Sequence, residues 1–439
     1  ADQTPPSTLV PHLQTILKDV RDTPYPCLES PAQLKRASVA FILRIKPSYS
    51  HWPETETDAS FKPDLDSFFS QDWPQHGEPE VLFIKRAARK GDRWTSHIAL
   101  PGGKRDPTDV DDQAAAVREA WEEVGLDLNK YAIPCGNLPQ RLVTTHWGKK
   151  PLLVLCPYVF LLTTHDVPAL RLQPTEVAST HWVPLRSLLD PQQRTIAFED
   201  VSSRLANQET GVKRWMLATI LGRMIFAAIN LEPTESLYSA ESPSSEVTSQ
   251  ANRYAQLTAK DRFSILASRV WRADVFNQYP APKKDGPLLL WGLTLGVVQD
   301  FLDLMPPHNA LTLWTYPTFT PLDVRLCIWL LTYRFKHRKR VELQSGSEFR
   351  DIRPSFGGAS ETGVQNVDRR SRTVPASVEA DKPLESGVHG LGTGLRSKRA
   401  AVANMLEGYY DIVRRAVAVA LIGRAGVILL VGLLLWRRW

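Results

Sequence analysis

The chain of 439 residues has four cysteines, Cys27, Cys135, Cys156 and Cys327, and no two of them form a C-x-x-C pair. That spacing excludes a thiolate zinc cluster and a dense disulfide framework, and it favours a reducing compartment. Charge of one sign is also lacking: 53 Lys and Arg stand against 47 Asp and Glu, a net +6. The basic residues are scattered rather than gathered in a stripe, so no nucleic-acid partner is expected. The first residues, ADQTPPSTLVPHLQ, have no basic region followed by an apolar run and no arginine enrichment, so they do not read as a secretory or transit signal. No internal repeat is found.

What is present alternates between strands and helices. Leu9, Leu13, Ile16, Leu17 and Val20 recur at helical spacing, and RASVAFILRI from Arg36 reads as a buried strand. EVLFIKRA from Glu80 predicts a second strand and PLLVLCPYVFLL from Pro151 a long central one. EVASTHWVPLRSLLD from Glu176 predicts a short strand entering a helix, and GPLLLWGLTLGVVQDFLDLMPP from Gly286 a strand, a Gly-Leu-Thr turn and an amphipathic helix. The order implies an α/β or α+β sandwich. Between Pro191 and Pro282 strand periodicity is lost, and a packed helical insertion is expected there. From Gln344 to Lys398 large apolar residues are scarce, which predicts a disordered linker.

Chemistry concentrates in LPGGKRDPTDVDDQAAAVREAWEEVGLDL, Leu100 to Leu128. Residues three and four apart share a helix face, so Glu119, Glu122 and Glu123 are expected to gather their carboxylates on one ridge. Like charges at that spacing repel, and a cation over them relieves the repulsion. Oxygen ligands of high charge density suit Mg²⁺ or Mn²⁺, and Mg²⁺ usually adds substrate phosphates to its shell. Such an ion activates a bound water and neutralises charge on phosphoryl oxygens. Gly102 and Gly103 let backbone approach the helix, and Gly125 suits a left-handed helix end. A solvated amphipathic helix would also carry glutamates; the joint order of glycines, arginine and glutamates distinguishes the two readings.

These residues resemble the box of the Nudix hydrolases, G-x5-E-x7-R-E-U-x-E-E-x-G-U, at Gly103, Arg118, Glu119, Glu122, Glu123, Gly125 and Leu126. The gap from Gly103 to Arg118 is one residue longer than in the general box. Asp106, Asp109, Asp111 and Asp112 supply carboxylates where the first glutamate is missing, and Ala120 replaces the bulky residue. P-G-G-x-x-D-x-x-D before REA-x-EE-x-G is similar to the coenzyme A diphosphatase branch, whereas Asp92, Ser96 and Leu100 depart from that branch's upstream signature. The resemblance implies a Nudix fold, a mixed sheet between helices, over 36–304 with the insertion at about 191–282. It implies metal ligands at Glu119, Glu123 and Glu122, a base at Glu122 or Glu176, and Arg118 as the group that orients a glutamate. Arg93, Lys104, Gly102 and Gly103 are implied in substrate binding. His97 and Trp94 are open to both substrate contact and packing, and Trp291 and Thr294 are assigned to packing and turn geometry. The implied substrate is coenzyme A or another nucleoside diphosphate derivative such as ADP-ribose; a fold that binds without turnover stays open.

Around that unit the reading places an N-terminal helical extension at 1–35, a helical extension at 305–343, the linker at 344–398 and a C-terminal helix at 399–439. Ala416 to Trp436 is almost wholly apolar and long enough for a bilayer of about 30 Å. Arg424 costs about 2.5 to 3.5 kcal/mol at its centre, and roughly a dozen Leu, Ile and Val at about −0.3 to −0.6 each return slightly more. Arginines at both ends give no orientation. The expectation is a tail anchor on a cytosol-facing organelle membrane, mitochondrial or peroxisomal, with a buried or dimer-forming helix as the alternative. PLDVRLCIWLLTYRFKHRKR from Pro321 is suited to lying on a membrane surface.

Overall fold

The computed structural model describes residues 9–28, 34–53, 63–88, 96–145, 150–200, 222–239, 288–306, 314–345 and 401–437. Strand β1 (Lys35–Lys46) lies near the middle of a nine-stranded mixed sheet. Its side chains alternate across the sheet, as the two-residue repeat of a strand requires. Phe41, Leu43 and Ile45 enter one core; Ala40 and Ile42 enter the other. β2 (Glu78–Arg86) does the same with Val81 and Phe83 against Leu82 and Ile84. The continuous apolar runs read from the sequence are therefore strands buried on both faces.

β7 (Lys150–Leu162) runs parallel to β1 from the pair Lys35 and Leu153 to the pair Leu43 and Leu161. β8 (Val177–Pro184) is antiparallel to β2, and β5 (Ala132–Asn137) and β6 (Arg141–Thr145) are antiparallel to β7. The short strands β3 (Ile98–Ala99) and β4 (Gly102–Lys104) pair with β2 and β1. Helix α1 (Leu9–Asp22) buries Val10, Leu13 and Leu17 in the first core, and α4 (Asp112–Val124) buries Ala116, Ala120 and Val124 in the second. Three short helices, α2 (Leu65–Phe69), α3 (Asp72–Gln75) and α5 (Leu128–Tyr131), join these elements. The mixed sheet between helices is the architecture expected.

The segment expected to be helical differs. After α6 (Leu185–Leu189), β9 (Arg194–Asp200) and β10 (Arg223–Asn230) pair in a second sheet of four strands. β11 (Glu235–Tyr238) adds to the edge of the first sheet at β8. β12 (Leu289–Trp291) and β13 (Thr318–Phe319) complete the second. In RWMLATILGRMIFAAI the apolar run hid the strand, because β10 is defined by a seven-residue ladder with β9, a non-local feature. Residues 201–221 and 240–287 lie outside the described set.

Helix α7 (Gly292–Leu302) follows β12, and it is not amphipathic as expected: Leu295 through Leu302 are all buried. One buried charge this places inside is paired. Arg141, buried on β6, donates from Nη2 to the Gly296 carbonyl at 2.5 Å and pairs with the Asp300 carboxylate. Beyond it, α8 (Leu322–Ser345), α9 (Ala401–Leu406) and α10 (Tyr409–Trp436) form a further group. α8 and α10 pack antiparallel, with Asp323 beside Arg424 and Phe335 beside Tyr409. The stretch read as a linker lies outside the described residues from 346 to 400.

Removing one partner of a buried ion pair strands the other. Arg141→Met, which leaves the Asp300 carboxylate buried, is expected to cost about 3 to 5 kcal/mol in urea unfolding. Arg141→Met combined with Asp300→Leu is expected to recover a large part of that loss.

Candidate functional site

Helix α4 starts where Asp111 caps it, its carboxylate accepting from the Ala114 N–H at 2.7 Å. It stops at Gly125, whose φ of 71° places it in the left-handed region. Between these ends Ala116, Ala120 and Val124 face the sheet, which sets the direction of every glutamate. The expected single ridge is split. Glu123 is 2 % exposed and turns to the glycine strand, where its Oε2 accepts from the Gly102 N–H at 2.8 Å. Glu119 lies against Gly103 so closely that a Cβ there would strike its carboxylate. Glu122, rotated by about 100° from Glu123, points outward and is more than half exposed.

Arg118 organises this face. Its Nε and Nη2 grip both oxygens of Asp109 at 3.0 Å, and Nη2 also donates to the Lys104 carbonyl at 2.9 Å. Its Nη1 bridges Glu119 at 3.1 Å and Glu122 at 2.8 Å. The arginine thus ties the loop after β4 to the helix and orients two glutamates. The Asp109 carboxyl is held below its ordinary range by the Arg118 hydrogen bonds, and Arg118 itself is pushed up. Asp109 stands at the place of the box's missing glutamate, and its role as the arginine's clamp was not read from the sequence.

Glu176 sits where the chain enters β8, not at a helix start, and its carbonyl accepts from the Ala87 N–H at 2.7 Å. It is close enough to raise the pKa of both Glu119 and Glu123. Desolvation is the main cause in each case: it raises Glu119 from its ordinary value and pushes Glu123 up to about 8, although the Gly102 N–H and Arg86 oppose the shift on Glu123. Glu123 and Glu119 thus lie beside Gly102 and Gly103, with the Glu176 charge in electrostatic range of both. Lys104 is exposed on β4 with its backbone bound to Arg118. The His97 ring packs 4.7 Å from Trp291, tilted by 53°, the packing alternative of its two readings. Arg93 and Trp94 lie outside the described residues.

A second group was missed. Arg36, at the start of β1, donates from Nε and Nη2 to Asp112 at 2.8 and 2.6 Å, and Arg105 reaches the same carboxylate at 3.3 Å. Burial works against the Asp112 anion, and the two arginines still hold it below its ordinary range. Arg36, Arg105, Asp106, Pro107 and Asp109 line an open cleft of about 340 Å³ beside the arginine clamp. A strand-end arginine has no local signal; only the pairing of β1 with β4 brings Arg36 to the loop.

The donor set fits a divalent cation of the Mg²⁺ kind. All donors are oxygens, and burial with other carboxylates in range makes the anionic form of Glu119 and Glu123 costly unless a cation stands beside them. Glu119 and Glu123 would hold such an ion, with the Glu176 charge in electrostatic range of both. Another group, His51, Asp72 and His76, has its potential ligand atoms within 4.8 Å of one another. Its imidazoles stack in parallel, 3.8 Å apart and tilted by 7°, so their lone pairs do not converge on one point.

Residues 73–205 match the NUDIX domain. An uncharacterized protein of Schizosaccharomyces pombe is 38% identical over 212 residues, 47% of this chain and 59% of that protein. A peroxisomal coenzyme A diphosphatase of Mus musculus is 38% identical over 125 residues, 26% of this chain and 45% of its own length. A mitochondrial coenzyme A diphosphatase of Homo sapiens is 31% identical over 118 residues, 27% and 47% of the two chains. The chain spans about half the length of the curated relatives it matches. Among solved structures, the NUDIX domain of Shewanella oneidensis NrtR complexed with ADP ribose covers 36% of this chain and 78% of its own at 17% identity, with a TM-score of 0.23. The MutT protein from Methanosarcina mazei covers 37% and 84% at 20% identity, with a TM-score of 0.22.

The pKa of about 8 at Glu123 sets a pH dependence. Protons compete with a cation for this carboxylate, so Mn²⁺ affinity measured by calorimetry is expected to rise about tenfold per pH unit below pH 8 and to level above it. In metal-free protein the raised pKa favours folding below the unfolded value near 4.5, and that contribution fades as pH rises through 8. Glu123→Gln is expected to remove both trends, and Gly103→Ala to weaken Mn²⁺ binding by about tenfold or more.

Proposed function

Since the chain carries a NUDIX domain over residues 73–205, we propose that it is a divalent-metal-dependent hydrolase that splits the diphosphate of coenzyme A or a related nucleoside diphosphate derivative. The observation that carries the proposal is the buried Glu123 beside Glu119 and Glu176, set against Gly102 and Gly103. Kinship with the peroxisomal and mitochondrial coenzyme A diphosphatases supports the substrate class. We place the catalytic unit at 36–304, with 1–35 and 305–343 as extensions and 399–439 as a membrane anchor. The same relatives favour a peroxisomal or mitochondrial membrane as its location.

The reaction adds water across a P–O–P bridge. One P–O bond breaks, the water oxygen joins that phosphorus, and the bridging oxygen leaves with the other phosphate, so two phosphomonoesters form. A divalent ion would supply a water of lowered pKa and screen the diphosphate charge. Glu119 and Glu123 would hold it from the helix, with the Gly102 N–H orienting the Glu123 carboxylate. Glu176, facing them from β8, is the carboxylate placed to take the proton of the attacking water. Glu122 is a ligand only if its link to Arg118 opens; otherwise it shares with Glu119 the task of holding Arg118 in place. Arg105, in the cleft wall, and the exposed Lys104 next to it attract the phosphates, and Arg93 is assigned the same task.

Incubation with coenzyme A and with ADP-ribose in Mg²⁺ or Mn²⁺ is expected to release phosphomonoester products, coenzyme A giving the higher kcat/KM. Glu123→Gln is expected to lower kcat by about 10²-fold or more. An unchanged rate in that variant would contradict the mechanism. Binding of either nucleotide without product under both metals would favour a domain that has lost turnover.

A further inference from the structure

Helix α8 has two apolar faces. At about 100° per residue, Val324, Ile328 and Thr332 fall together, buried against α10 and β13. Leu322, Leu326, Trp329, Leu330 and Tyr333 fall on the other side, in a stripe about 100° wide, and each is 56 to 72 % exposed. A buried face is expected of a helix in a folded protein; a second uncovered stripe of this size marks an interaction surface.

Its neighbour continues the pattern. α10 is packed as far as Arg424, and from Val427 to Trp436 its described large apolar side chains are 47 to 78 % exposed. Arg424, the charge that opposed membrane insertion, is held by Asp323 through Nε at 2.5 Å and Nη2 at 2.7 Å. That fork lowers the cost of carrying the arginine in an apolar run.

The stripe on α8 ends in Arg334, Lys336, His337, Arg338, Lys339 and Arg340. Arg334, Arg338 and Arg340 are exposed. Acyl chains beneath anionic headgroups are complementary to an apolar stripe that runs into cations. A second copy of the chain is less so. Asp323 and Glu342 are the only acids of α8, and Asp323 is taken by Arg424.

We propose that the outward face of α8 docks on an anionic lipid bilayer, so that α8 and α10 hold the protein at the membrane as one unit. This rests on the reading of α10 as membrane-seeking. Leu330→Cys carrying an NBD fluorophore, in the full chain with Cys27→Ser and Cys327→Ser, reports on the stripe directly. With phosphatidylserine-containing phosphatidylcholine vesicles, its emission is expected to shift to the blue, brighten several-fold and be quenched by acyl-brominated lipid. Adding Arg334→Glu, Arg338→Glu and Arg340→Glu is expected to weaken that response about tenfold or more, with thermal unfolding unchanged.

Flotation of the same samples tests α10 by itself. Protein that floats while the probe stays in water overturns the proposal and spares the anchor; protein that does not float overturns both. Blue emission without vesicles also overturns it: a second copy covers the stripe if the signal grows with protein concentration, and another part of the chain if it does not.

Discussion

A carboxylate buried beside a backbone N–H, with two more carboxylates in range, is the constraint on which the rest of this molecule turns. Burial pushes the Glu123 carboxyl up to about 8, so a cation nearby favours its charged form at neutral pH. The surrounding structure is arranged to keep it there. The antiparallel register of β1 with β4 fixes Gly102 and Gly103 against the helix, and the core under Ala116, Ala120 and Val124 fixes the helix against the sheet. A side chain at Gly103 would fill the space that the Glu119 carboxylate occupies. The energy that folding spends on this desolvation is recovered when a ligand supplies positive charge, which couples the site's occupancy to the stability of the domain.

Arg118 plays the complementary part. It neutralises Glu119 and Glu122 from one side while Asp109 and the Lys104 carbonyl hold it from the other. The loop between β4 and α4, one residue longer than the general box, is thereby closed by an ion pair rather than by regular structure. The same logic recurs away from the site: Arg141 with Asp300 inside the core, and Arg424 with Asp323 between α8 and α10. In each case an arginine makes it possible for a charged group to sit in apolar surroundings.

Local patterns carried much of this into the sequence. Helix α4 was legible from its glutamates and its Gly125 end, and β1, β2 and β7 were legible as apolar runs. What failed depended on partners far along the chain. β10 is a strand because β9 pairs with it, and α7 is buried on all sides because Arg141 meets Asp300. Neither partner is visible in a local window. The division among the glutamates was hidden for a related reason: helical spacing gives their relative angles, but only the position of the sheet decides that Glu119 and Glu123 face inward while Glu122 faces Arg118. Glu176 stands at the entry to the strand that its own segment predicted, and only the pairing of β2 with β8 gives that strand its place in the sheet.

The central claim is that Glu119 and Glu123 hold a divalent ion beside Gly102 and Gly103. Crystals grown with Mn²⁺ and measured at the manganese absorption edge test it most directly. The account predicts an anomalous peak within about 2.2 Å of carboxylate oxygens from these residues. A peak only at His51, Asp72 and His76, or none beside α4, would contradict it.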